Sequence, residues 1–136
     1  MMAATHSQPR KMSFALFLKA YRELLRVDCQ LRVRGFAAVH EGVKSLRAVE
    51  SRIDSDVCAE ICHAVDVACV FYFKEVQCLQ RSAAAVRLLR RHGVPAELVT
   101  GVQQWPFRAH AWVETAGRVV NDKAHVIEGF LIIDRC

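Results

Sequence analysis

Apolar residues recur at spacings of three and four from position 14 onward. Phe14, Phe17, Leu18, Tyr21, Leu24 and Leu25 line one face of a helix, and Ser13 stands where a cap would. Gly35 breaks this pattern. Phe36, Val39, Val43 and Leu46 form a second amphipathic stretch, interrupted by Gly42. A third helix is predicted to begin near Asp54 or Asp56 and to carry Val57, Ile61, Val65, Ala68 and then Phe71 or Tyr72. The fourth is the sharpest. Cys78, Ser82, Ala85 and Leu89 make one stripe; Arg90, Arg91 and His92 complement its C-terminal dipole; Gly93 caps it and Pro95 forbids continuation. No strong breaker separates the third and fourth helices, so the pattern leaves that boundary unplaced.

Past Pro95 the texture changes to one of strands. Positions 96–102 are rich in β-formers, and positions 109–115 alternate apolar and polar. Ala116 and Gly117 mark a turn, positions 118–120 return, and positions 130–133 make a last strand. Helices first and an antiparallel sheet second predict an α+β fold, with the N-terminal helices packed on a small antiparallel sheet. Positions 1–12 are polar and aperiodic and read as a flexible terminus. Positions 13–136 read as one domain, long enough to bury roughly two-thirds of its unfolded surface.

The chain is 53% apolar and 24% charged, which excludes a disordered or fibrous protein. A mean hydropathy of +0.14 suggests a sticky surface that a partner covers. The net charge is +5. Its bases (Arg22, Arg26, Arg32 and Arg34, then Arg87, Arg90 and Arg91) are spread along helices without interleaved aromatic residues, which reads as a solvated helix face and not a nucleic-acid groove. Six cysteines are present: Cys29, Cys58, Cys62, Cys69, Cys78 and Cys136. Arg10 and Lys11 precede a short apolar run, but Lys19 interrupts it and no small-residue cleavage site follows, so no signal peptide is expected. The expectation is a cytoplasmic protein with reduced thiols. The most apolar stretch, positions 64–73, is too short to span a membrane and contains Asp66. No phosphate-binding glycine loop occurs, and neither a nucleotide nor another cofactor is expected.

Candidate chemistry lies at Cys78, His110 and Asp122. A thiol acts as a nucleophile only as thiolate, which a neighbouring base and a helix N-terminus both favour. Cys78 heads the small-residue stripe. Alternation puts His110, Trp112 and Glu114 on one face of their strand, with Ala111 and Val113 on the other. Asp122 follows the turn, on a strand expected to pair with the His110 strand, where a carboxylate can orient an imidazole. Spacing alone leaves a core thiol with a surface histidine equally open. Cys58, Cys62 and Cys69 share a helix stripe beside His63; this reads as a buried face of small thiols, and no metal is expected. His125 is a rival to His110 but lacks the flanking alternation.

Local words narrow the choice. Cys78-Leu79-Gln80-Arg81-Ser82, Gly93-Val94-Pro95-Ala96, Gly101-Val102, Pro106-Phe107-Arg108-Ala109-His110-Ala111-Trp112-Val113-Glu114 and Asn121-Asp122 resemble, in order and spacing, the leader peptidases of lasso-peptide biosynthesis. That family is a branch of the transglutaminase-like cysteine proteases, with a papain-like core. The resemblance covers roughly positions 70–134. It implies removal of a leader from a ribosomally made precursor peptide through a Cys78–His110–Asp122 triad. It also implies two partners: a separate leader-recognition protein, and an ATP-dependent cyclase that acts on the freed core peptide. Arg81, Trp105, Phe107, Trp112 and Glu114 are candidates for substrate binding; plain core packing is an equal reading of the aromatic residues, and an ordinary ion pair with Arg81 is the favoured reading of Glu114. Another acyl transfer on the same triad, by a transglutaminase or N-acyltransferase, and a catalytically silent peptide-binding module are the alternatives.

Overall fold

The computed structural model describes residues 12–47 and 54–136. Most of the terminus expected at positions 1–12 lies outside them; Met12 is half-buried against the core. Four helices come first: α1 (Phe14–Arg34), α2 (Phe36–Ser45), α3 (Ser55–Val70) and α4 (Cys78–Arg91). Strands β1 (Glu97–Gln103), β2 (Arg108–Thr115) and β3 (Arg118–Val119), a short α5 (Ala124–Ile127) and β4 (Leu131–Arg135) follow. The sheet is antiparallel with order β3-β2-β1-β4. The α+β expectation and the order of elements are therefore met. No helix among the described residues is long and apolar enough to cross a membrane.

Helix α4 is the centre of the molecule. It packs against α1, α2 and α3 and against β1 and β2. Residues 82–89 are all buried, because the run Ser82-Ala83-Ala84-Ala85 lets neighbours approach closely and Val86, Leu88 and Leu89 fill the core. Arg87 is the charged member of that run. Its Nε donates to buried Glu23 on α1 at 2.8 Å, and its Nη1 donates to the Gly42 carbonyl. The end of α4 is a Schellman motif: Gly93 N–H bonds to Arg90 O and Val94 N–H to Leu89 O.

Two helix expectations change. Gly42 does not interrupt α2, which runs through it to Ser45. A Cβ at Gly42 would lie 3.2 Å from both Arg87 Nη1 and Gln30 Oε1, so the glycine answers to close packing. The boundary left unplaced falls at positions 71–77. There Tyr72 turns inward and its hydroxyl donates to Asp28 on α1, so a distant carboxylate, not a local breaker, shapes the loop.

Candidate active site

The head of α4 carries Cys78. Gln77 adopts an extended conformation as N-cap, and its N–H donates to Gln80 Oε1 at 2.8 Å, half of a capping box. Cys78 is therefore the first helical residue, half-buried, with its backbone N–H among those that a helix leaves without an intrahelical partner. Four residues later, buried Ser82 donates from Oγ to the Ala111 carbonyl at 3.0 Å. That bond sets the first two turns of α4 beside β2, next to His110.

His110 lies in β2, with Ala111 and Val113 turned to the helical core as alternation predicts. Its Nε2 bonds to Asp122 Oδ2 at 2.7 Å, and the two side chains are only 20% and 19% exposed. Two rings confine the imidazole: Trp112 at 5.9 Å between centroids and Phe130 at 5.5 Å. With Nε2 committed to the carboxylate, Nδ1 is the nitrogen left for a thiol. Among the described residues no hydrogen bond joins Cys78 to His110; apo sites commonly leave such contacts open.

Asp122 is not on a strand. β3 ends at Val119, and the last backbone bond to β2 is from Val120 N–H to Val113 O. Beyond it the side chain of buried Asn121 replaces the backbone ladder. Its Oδ1 accepts from Val113 N–H at 2.8 Å and its Nδ2 donates to Ser82 Oγ at 2.9 Å. The freed chain then carries Asp122 back to His110. Burial works to raise the Asp122 pKa, but the bonds from His110 and the Lys123 N–H, with the charges of His110 and Arg81, outweigh it and hold the carboxyl below its ordinary range. It is a carboxylate throughout the neutral pH region.

The substrate-binding candidates separate. Arg81 bonds from Nε to Asp66 on α3 at 2.7 Å and from Nη2 to the Asn121 carbonyl. It does not face Glu114. Alternation carries Glu114 to the far side of the sheet, where it pairs with Arg135 of β4. Trp112 is fully buried and packs behind His110, so it offers a substrate no surface. Gly101, its neighbour in β1, has no side chain because a Cβ would stand 2.8 Å from Trp112 Cη2. Trp105 and Phe107, at the β1–β2 hairpin, are 89% and 74% exposed and free to meet a ligand.

Sequence reading missed several partners of the site: Phe130 against His110, Asp66 beneath Arg81, and the Ser82–Asn121 bond. Spacing carried no signal for any of them, although Asn121 adjoins Asp122. Of the thiols read as a stripe, Cys58 and Cys62 are buried and Cys69 half-buried, while His63 is exposed. A different trio, His40, Asp134 and Cys136, brings ligand atoms within 4.8 Å of one another. Burial, with the charge of Asp134, raises the Cys136 thiol pKa against Arg90 and Lys44, so Cys136 stays a protonated thiol near neutral pH and makes a poor metal ligand. His125 lies exposed on α5.

A family model described as the transglutaminase-like superfamily matches residues 23–134. The microcin J25-processing protein McjB of Escherichia coli is 39% identical over 56 residues, a match that covers 41% of this chain and 27% of that protein. No solved structure matches the chain.

Proposed function

The chain belongs to the transglutaminase-like superfamily, and on that premise we propose that it is a cysteine peptidase that removes the leader from a ribosomally made lasso-peptide precursor. The observation that supports the reading is the 2.7 Å bond between His110 and Asp122, on a strand that the Cys78-bearing helix reaches through the Ser82 bond to Ala111. The partial identity to a microcin J25-processing protein supports a peptide precursor as substrate.

Catalysis follows from the placement of each group. His110 accepts the Cys78 proton, and Asp122 stabilises the imidazolium that results. The thiolate adds to the carbonyl carbon at the leader–core junction. Its oxyanion sits at the N-terminus of α4, where the Cys78 backbone N–H donates to it. Collapse breaks the C–N bond, and the imidazolium gives its proton to the leaving amine, which becomes the core N-terminus. Water, deprotonated by His110, then cleaves the leader thioester and releases a carboxylate. A separate recognition protein presents the leader, and an ATP-dependent cyclase consumes the core.

The test is incubation of the protein with a precursor of this class, read by mass spectrometry. The expected products are a free leader acid and the core peptide. Cys78→Ala and His110→Ala should fold normally and lose activity by several orders of magnitude. Retention of more than about a hundredth of the wild-type rate by either would remove that residue from the mechanism. A leader joined to an added amine, with no free acid, would assign the chain to acyl transfer instead. No turnover, together with a Cys78 no more reactive than the other thiols, would leave a peptide-binding module.

A further inference from the structure

We propose that Asp28, on α1, is the positioning residue that fixes Cys78 at the head of α4. The inference rests on the reading of Cys78 as nucleophile. Asp28 is 5% exposed, and its carboxylate gathers donors from both sides of Cys78 in the chain. Before Cys78, the Tyr72 hydroxyl donates at 3.1 Å and Lys74 Nζ also donates to it. After Cys78, Gln80 Nε2 donates at 2.9 Å. Arg32, one turn along α1, adds its charge at 3.6 Å.

Gln80 joins this network to the helix start. Its Oε1 receives the Gln77 N–H while its Nε2 holds Asp28, so one amide spans from α1 to the residue just before Cys78. The first turn of α4 is thus clamped at Gln77 and at Gln80, with Cys78 between them. Exposed Phe73 and Glu75 alternate with the tethered Tyr72 and Lys74. Removing the carboxylate unties the segment on both sides of the thiol at once.

The two halves of the site therefore draw on different frames, which meet where Arg81 and Ser82 of α4 bond to Asn121 and Ala111. His110 is set from the other side, by Asp122 beyond β3, Trp112 on β2 and Phe130 just before β4. Cys78 is set by α1, through Asp28. The distance from thiol to imidazole depends on both frames, and a misplacement of about an ångström costs on the order of a hundredfold in rate. A donor-rich buried carboxylate suits the task because its charge-assisted bonds are short and directional.

Asp28→Asn and Gln80→Met test this. Substitution of Gln80 leaves Asp28 with Tyr72, Lys74 and Arg32, so it spares the buried charge. The readouts are the alkylation rate of Cys78 by iodoacetamide at neutral pH, resolved by peptide mass spectrometry, and kcat and KM on a precursor. In folded variants the Cys78 rate should fall roughly ten- to a hundredfold, with kcat falling in parallel and KM nearly unchanged. Folded variants that alkylate at the wild-type rate would overturn the proposal. Unfolding of both would overturn it too, since the network would then support the fold and not the thiol. The alkylation readout needs no substrate. A wild-type Cys78 that labels no faster than in His110→Ala would instead sink the reading of Cys78 as nucleophile.

Discussion

In the proposed mechanism Asp122 acts on His110 through one oxygen. Oδ2 holds His110 Nε2, while Oδ1 accepts the Lys123 N–H, so neither oxygen is free to rotate away. Replacing one oxygen by an amide nitrogen in Asp122→Asn removes the charge that stabilises the imidazolium and offers a donor where an acceptor was needed. The variant should fold as the wild type does, because Asp122 is 19% exposed and lies outside the hydrophobic core. Its kcat should fall on the order of a hundredfold, with a trace of turnover left to the thiol and imidazole. Measured single-turnover rates decide it. A wild-type rate would transfer the orienting role to another group, with Asn121 the first to examine.

Two elements are joined at the seam between α4 and the edge of β2, and Asn121 is the fastener. Its amide satisfies a Val113 N–H that β3 is too short to reach, and it also bonds to Ser82 on the helix. Its own carbonyl takes Arg81, which is anchored in turn to Asp66 of α3. Asn121→Ala would leave the buried Val113 N–H without a partner, a loss of about 1–3 kcal/mol. For a domain of this size the melting temperature should drop by roughly 3–10 °C, and turnover should fall as the Asp122 segment loosens. Calorimetry and kinetics on the same sample check both. An unchanged melting temperature would mean that water replaces the amide and that the seam holds without it.

At the scale of the molecule, α4 packs against α1, α2 and α3 on one side and β1 and β2 on the other. Apart from Trp105 and Phe107 at the hairpin, an aromatic patch lies on the helices: Phe14 is 72% and Phe71 68% exposed, Phe14 stacking on Phe17 and Phe71 meeting it edge-on. An apolar patch of this kind suits a protein partner. A separate leader-recognition protein should therefore raise cleavage strongly at low precursor concentration, by raising the effective concentration of the scissile bond at Cys78. The gain should shrink as precursor saturates the enzyme, since the chemistry is unchanged. A precursor titration with and without that protein makes the measurement. Full activity alone on micromolar precursor would show that the helices read the leader themselves.

Local repetition made the helices and strands legible in the sequence. Spacings of three and four placed α1, α3 and α4, and alternation placed β2 and told which face His110 shares with Trp112. Contiguous words in the sequence also pointed to Cys78, His110 and Asp122, and the structure joins two of them, His110 and Asp122, by a hydrogen bond. What alternation could not tell is what covers each face. Glu114 was expected against Arg81, but β4 lies beyond β1 and brings Arg135 to it, while Asp66 and Asn121 reach Arg81 first. Trp112 was open to a groove or to the core, and Phe130 with side-chain-free Gly101 decides for the core. The loop before Cys78 carried no breaker, since its shape is decided by Asp28, 44 residues from Tyr72 and 52 from Gln80. A side chain's period is a property of its own segment. Its partner is decided by how the segments pack, and only the tertiary structure holds that.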